Sequence, residues 1–215
     1  FYRTSNLVEM GIKPIYVFDG IPPALKSTEI QRRKQVKVEA TVKYEKAVAE
    51  GKPAEARMYA QATTSMKDYM QDDSRKLLDL LGLPWIQAPS EGEAQVAQMV
   101  AEGDLYGCVS QDFDSLLFGT KKLLRNITVS GKRKAPGKDY YFEVKPEMIE
   151  LEKNLKLLGI DRQKLIWIGI LVGTDFNEKF PKIGPKTALK LVQGHKSFEE
   201  IIKEGRKFGV FLTIA

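Results

Sequence analysis

Acidic residues in this chain recur where a run of β-forming residues gives way to a turn or a helix start. Asp19 closes Ile15-Tyr-Val-Phe18, Glu91 and Glu93 follow Ala88-Pro-Ser90, Asp112 and Asp114 follow Tyr106–Ser110, and Asp175 follows the apolar run from Trp167 to Gly173. Binding sites in open α/β sheets gather at the carboxyl ends of strands, so these positions can converge on one crevice. Carboxylates crowded there repel unless cations sit among them, and oxygen donors without imidazole select Mg²⁺ or Mn²⁺. Two such ions, roughly 3.5–4 Å apart, would activate water and stabilise the leaving oxygen of a phosphodiester. Each motif alone has a plainer reading. Glu91 and Glu93 serve the positive end of a helix equally well, Asp19-Gly20 is a common turn, and Asp175 suits a helix end. Asp112-x-Asp114 is less ordinary, because two charges beside a core cost energy unless paired.

Composition narrows the rest. The 215 residues include one cysteine and one histidine, His195, which excludes a disulfide framework, a Cys-rich zinc site and metal sites built on several imidazoles. Hydrolytic chemistry must rest on carboxylates, lysines and arginines. The longest apolar run, Leu165–Val172, falls far short of the ~20 residues of a membrane span. The chain opens at Phe1 with no signal-peptide pattern, which reads as an intracellular fragment. The formal charge is +6, unevenly spread: residues 24–70 hold ten basic and six acidic side chains, 121–138 seven basic and none acidic, and 179–207 eight basic and three acidic. Basic segments beside an acidic remainder suit a polyanion-binding surface around a separate cation site, or simply a solvated charged surface.

The elements that must position these groups alternate between strand and helix. A helix ends near Gly11, a strand covers Ile15–Phe18, and residues 27–82 are helical, charged and interrupted at Gly51-Lys-Pro53. So long a polar helical stretch must project into solvent as a hairpin. Further strands are expected at Pro84–Gln87, Tyr106–Ser110, Lys122–Val129 and Tyr140–Val144, the last two split by the loop Ser130–Lys138. Helices are expected at Glu91–Glu102, Pro146–Leu158, Asp161–Gly173, Lys186–Gln193 and Ser197–Glu204. The class is α/β, with helices flanking a mostly parallel central sheet.

Val-Phe-Asp-Gly-x-Pro-Pro (17–23), Ala-Pro-Ser-Glu-Gly-Glu-Ala-Gln (88–95), Gln-Asp-Phe-Asp-Ser-Leu-Leu-Phe-Gly (111–119), Gly-Thr-Asp-Phe (173–176) and Ile-Gly-Pro-Lys-Thr-Ala-Leu (183–189) together resemble the structure-specific 5′ nucleases, and within them the flap endonucleases of archaea. The resemblance runs in family order to about Glu204. It implies a PIN-like 5′ nuclease fold over residues 1–215, with a helical arch insertion at 24–70 and a helix–two-turn–helix element at 177–205. It also implies cleavage near the base of a 5′ flap in replication and repair. Asp19, Glu91, Glu93, Asp112, Asp114 and Asp175 match the family's ligands to two Mg²⁺ ions, with Mn²⁺ as substitute.

Lys26 and Arg33, seven apart and so on one helical face, match the arch-base cations that meet the scissile phosphate. Gly184, Lys186 and Lys190 match the duplex grip, where K⁺ can sit on backbone carbonyls. The Ile-Gly-Pro-Lys turn, read without the family, is equally a plain helix start. Arg125 and the Lys132–Lys134 loop are expected as peripheral phosphate contacts, and His195 as a surface or capping residue. The partner implied is branched DNA. A sliding clamp is expected for the family, although its binding peptide is not found in this chain. The resemblance places one more aspartate on a strand ahead of Phe1, which would leave these residues alone a weakened nuclease. The tail from Gly205 departs from the family pattern. Location is expected to be intracellular, cytoplasmic if archaeal and nuclear if eukaryotic. A sibling 5′ exonuclease or junction nuclease, and a catalytically impaired branched-DNA-binding fragment, are the alternatives.

Overall fold

A computed structural model of the chain describes residues 1–64, 67–128, 131–135 and 139–207. The order begins with α1 (Tyr2–Glu9), β1 (Tyr16–Phe18), a 3₁₀ turn (Ala24–Lys26), α2 (Ser27–Ala49), α3 (Pro53–Thr63) and α4 (Asp68–Leu80). It continues with β2 (Trp85–Gln87), α5 (Gly92–Glu102), β3 (Cys108–Val109), α6 (Asp114–Leu117), β4 (Lys122–Arg125), β5 (Gly131–Lys134), β6 (Tyr141–Val144) and β7 (Glu147–Glu150). The remaining helices are α7 (Leu151–Leu158), α8 (Arg162–Val172), α9 (Pro185–Gly194) and α10 (Phe198–Lys207). Two compact units result, one from residues 1–21 with 86–215 and one from 22–85. No helix among the described residues is long and apolar enough to cross a membrane.

In the larger unit β1 hydrogen-bonds β2, while β3, β4 and β7 make a second sheet in that order. β3 runs parallel to β4, and β7 runs antiparallel to it with Leu123 opposite Ile149. The α/β class is as expected, but the strands are short and mixed in direction. Residues 147–150 are strand where periodicity suggests the start of a helix. The edge of β4 accepts them, and Leu123, with no exposed surface, supplies the packing. Gly131–Lys134 departs from its expected loop in the same way, pairing with Tyr141–Val144 as a hairpin. Gly-Lys-Arg-Lys has little β preference of its own. Its partner strand carries aromatic and β-branched residues, and Lys132 meets Glu143 across the pair. Val129, Ser130 and 136–138, also part of the expected strand and loop, lie outside the described residues, as does the tail beyond Lys207.

α5 packs on β1, β3 and α6, which fixes the N-terminal end of α5 beside the ends of two strands. The main core lies among α7–α10, where Leu155, Leu171, Ala188, Val192 and Ile201 are buried together. Arg162 donates to the carbonyls of Leu117 (3.3 Å) and Phe118 (2.8 Å), closing the end of α6. In the smaller unit α2 lies against α3, with Ala40, Ala47 and Ala56 buried; small side chains let the helices approach. Besides the expected break at Gly51–Pro53, a second one separates α3 from α4. α4 ends on Gly82, at φ 65°, whose N–H donates to the Asp79 carbonyl at 3.1 Å.

Gly20 is required for a different reason. A Cβ there would overlap the backbone carbonyls of Ala88 and Pro89, which press against the end of β1. Gly20→Ala is therefore expected to destabilise the chain by about 1–3 kcal/mol through overpacking. Gly82→Ala, where a Cβ meets nothing, should cost only the ~1–2 kcal/mol of a left-handed backbone. Urea unfolding of both variants checks this. A loss at Gly82 exceeding that at Gly20 would mean the 88–90 segment yields easily.

Candidate active site

The turn after β1 and the turn before α5 are tied together. Ala88 N–H donates to the Phe18 carbonyl (2.9 Å), and Gly20 N–H to that of Ser90 (2.6 Å). The Gln87 side-chain amide donates to the Asp19 carbonyl at 2.7 Å. Asp19 is thereby brought to the first turn of α5, where Gly92 N–H donates to its Oδ1 at 2.7 Å. A carboxylate suits that position, because the free N–H groups of a helix start favour negative charge. Gly92 is glycine because a Cβ would stand 2.9 Å from the same Oδ1.

One residue further on, Glu93 accepts from the Ser110 hydroxyl at 2.6 Å. That hydroxyl in turn accepts from Asp112 N–H (3.0 Å), and Asp112 Oδ1 accepts from Phe113 N–H (2.8 Å). Asp114 then opens α6. Burial pushes the Glu93 carboxyl above its ordinary pKa against the Ser110 hydrogen bond, and the negative charges of Asp112, Asp114 and Asp19 push it further. Four acids from three distant segments thus share one electrostatic environment. Glu91 is the residue before α5, and Asp175 crests a separate turn. In that turn Thr174 and Asn177 exchange backbone hydrogen bonds of 3.1 and 3.3 Å, and Asn177 Nδ2 donates to the carbonyls of Ile170 and Glu178, each at 2.8 Å. Among the described residues no three acidic, histidine or cysteine side chains form a ready-made cage for one ion. The cluster is an open arrangement of carboxylates.

Of the other expected site residues, Lys186 and Lys190 lie exposed on α9, opposite the buried Ala188 and Val192. Gly184 precedes that helix, and a Cβ there would meet nothing within 4 Å. Lys26 and Arg33 belong to the smaller unit, where Glu29 accepts from Arg32 Nε (2.6 Å) and Arg33 Nε (2.8 Å). Those two hydrogen bonds, Arg32's foremost, hold the Glu29 carboxyl down to about 2. Arg125, expected on phosphate, has its guanidinium engaged inside the protein by Gln111, Phe113 and Glu147. His195 caps α9 through the Leu191 carbonyl (2.8 Å) and meets Glu204 of α10 (2.6 Å). Cys108 is buried, and burial, with a smaller push from Glu93, raises its thiol to about 11, so it stays protonated.

The residues that sequence reasoning passed over are Gln87, Gly92 and Ser110. Only Gly92 left a signal, as the glycine between two glutamates.

Two family models match the chain, the XPG N-terminal domain over residues 1–40 and the XPG I-region over 82–175. The Flap endonuclease 1 of Nitrosopumilus maritimus is 55% identical over 201 residues, covering 93% of this chain and 59% of that protein. The chain belongs to the flap endonuclease family. The Flap endonuclease 1 of Pyrococcus abyssi is 56% identical over 197 residues, covering 91% of this chain and 57% of its own length. Among solved structures, flap endonuclease-1 from Methanococcus jannaschii superposes with TM-score 0.65 at 37% identity, covering 96% of this chain and 61% of that one. The catalytic core of Rad2 in complex with DNA substrate gives TM-score 0.67 at 26% identity, covering 97% and 57%. This flap endonuclease family chain thus spans less than two thirds of the length of the relatives it matches.

Nucleases of this family are generally divalent-metal dependent, and the donor set fits such an ion. It is oxygen only, and the carboxylates of Asp112, Asp114 and Asp19 add to the effect of burial in raising Glu93's pKa, a repulsion that a bound dication would relieve. The sign of the pH effect follows. With its folded pKa raised, Glu93 favours the fold most below the ordinary value of 4.5, and that contribution is lost as pH rises through the raised value. Saturating Mg²⁺ should remove this loss, so its gain in Tm should be larger near neutrality than near pH ~5. Ser110→Ala removes the donor that opposes the shift and should raise the Glu93 pKa further, moving the onset of the Mg²⁺ gain to higher pH. Thermal melts in EDTA and in Mg²⁺ across pH are the measurement. A Mg²⁺ gain independent of pH would exclude Glu93 from the ion's neighbourhood.

Proposed function

We propose that this chain carries the catalytic machinery of a structure-specific 5′ flap endonuclease, hydrolysing a DNA phosphodiester near the base of a 5′ flap. The observation that carries the reading is the cluster of Asp19, Glu93, Asp112 and Asp114 around the α5 start, in a chain of the flap endonuclease family. Asp19, Glu91, Glu93, Asp112, Asp114 and Asp175 would hold two divalent cations, Mg²⁺ by preference and Mn²⁺ in its place. Bound there, such cations supply an activated water and neutralise charge on the leaving oxygen. The chain's own part is to hold the carboxylates ready. Gly92 N–H and the Ser110 hydroxyl fix Asp19 and Glu93, so little reorganisation is needed when substrate arrives.

Residues 24–70 are assigned to a helical arch for the displaced strand, with Lys26 and Arg33 neutralising the backbone phosphate of the strand being cut. Residues 177–205 are assigned to a helix–two-turn–helix that grips duplex DNA. Gly184 leaves the helix entrance bare for a phosphate, Lys186 and Lys190 are exposed along the same helix, and K⁺ is assigned to nearby backbone carbonyls. Contacts to phosphates fix position and carry little base information, so substrate choice follows junction geometry.

Asp112→Ala or Asp114→Ala should abolish single-turnover cleavage of a 5′-flap duplex in Mg²⁺ and leave flap affinity intact or higher. Removing a carboxylate attacks the chemistry, and in flap binding measured without divalent metal it cannot weaken attraction to phosphate. Near-wild-type cleavage by either variant of the full-length protein would place the reaction elsewhere. Lys186→Ala should instead lower duplex affinity and reduce the salt slope by about one unit at most. An unchanged slope would remove Lys186 from the interface.

A further inference from the structure

Arg125 stands on β4 directly opposite Glu147 of β7. One arm of its guanidinium donates to Glu147 Oε2 (3.3 Å) and the other to the Gln111 carbonyl (3.2 Å). The guanidinium carbon lies 4.1 Å from the centroid of the Phe113 ring. The side chain is 23% exposed, and its buried Nε has no partner among the described residues. Next to it, the Leu124 carbonyl accepts from Ser110 N–H at 3.2 Å. Residues 110–113 are therefore fastened to β4 at both ends.

We propose that Arg125 is a positioning residue for the acidic loop: it clamps Gln111 and Phe113 against β4 and β7 and so sets where Asp112 and Asp114 present their carboxylates. The inference rests on the reading that these acids hold divalent cations. Asp112 lies between the two clamped residues, and its Oδ1 takes the N–H of Phe113, so a shift of Phe113 moves the carboxylate directly. Asp114 follows Phe113 and starts α6. Arginine suits the task because its planar fork can donate in two directions while its face stacks on an aromatic ring. Lysine would keep the charge and lose both the fork and the stacking plane. The two N–H groups engaged by Glu147 and Gln111 are committed to the protein, one from each terminal nitrogen of the fork.

The test uses the full-length protein as wild type, Arg125→Lys and Phe113→Leu. Three quantities are measured: Mn²⁺ binding without DNA, flap affinity without divalent metal across salt concentrations, and the Mg²⁺ dependence of single-turnover cleavage. Arg125→Lys is expected to weaken Mn²⁺ binding by about 10–100-fold, the usual effect of losing a partner that orients metal ligands. The Mg²⁺ concentration for half-maximal rate should rise in parallel, with flap affinity and salt slope unchanged. Phe113→Leu should shift Mn²⁺ binding in the same direction by less. Wild-type Mn²⁺ binding in Arg125→Lys overturns the proposal, whether or not Tm falls. So does a loss of flap affinity with unaltered Mn²⁺ binding, the signature of a phosphate contact. Should Arg125→Lys fail to fold by circular dichroism, the Phe113→Leu titration decides, and no shift there overturns the clamp. Wild type that binds Mn²⁺ but leaves flap DNA uncut would sink the substrate assignment alone. Wild type that binds no Mn²⁺ would overturn both.

Discussion

Mutual repulsion among carboxylates is the constraint around which the larger unit is arranged. Asp19, Glu93, Asp112 and Asp114 would separate if their chain segments were free to move, and burial of Glu93 makes their proximity costlier. The fold opposes this with donors that cost no net charge. Gly92 N–H and Phe113 N–H serve the two aspartates, and the Ser110 hydroxyl serves Glu93. The glycines at 20 and 92 follow from the same constraint, since a side chain at either would push the segments apart. The gathered carboxylates form an oxygen-only donor set, the natural complement of a hard dication.

Part of the positive charge of the larger unit is committed to backbone carbonyls. Arg125, partly buried, and Arg162, exposed, hold backbone carbonyls, Gln111 for one and Leu117 with Phe118 for the other. Both loops border α6, whose first residue is Asp114, so two guanidiniums brace the helix that carries an acid of the cluster. Lys186 and Lys190 stay exposed on α9. At these positions the chemistry fits, because a planar fork satisfies fixed carbonyls and an ammonium on a flexible stem suits a mobile polyanion. Arg32 and Arg33 on the smaller unit are exposed ion pairs with Glu29, of the kind that contributes little stability and weakens with salt.

The two residues most often suspected of nucleophilic chemistry are occupied otherwise. Cys108 is buried in β3, and burial holds its thiol protonated. His195 joins α9 to α10, and the Leu191 carbonyl, more than the carboxylates of Glu204 and Glu200, raises its pKa. Its contribution to the fold is therefore greatest below its ordinary value of 6.5 and lost as pH rises through the raised one.

The positions of the acids and the class of the fold were legible in the chain because both are local patterns. Carboxylates at strand ends, a glycine at 82 closing a helix and a glycine-proline pair opening α9 depend on neighbours within a turn or two. Strands 131–134 and 147–150 were not legible, since each is a strand only because another lies beside it: Tyr141–Val144 for one and the edge of β4 for the other. The same holds within the site. Nothing near Ser110 or Gln87 marks them as partners of Glu93 and Asp19, residues 17 and 68 positions away. Arg125 shows the difference most clearly. Its sequence surroundings are basic, which suggests phosphate, yet the pairing of β4 with β7 and the path of residues 110–113 surround it with a carboxylate, a carbonyl and a ring. Residue type fixed what its guanidinium can bind, and long-range packing decided what it does bind.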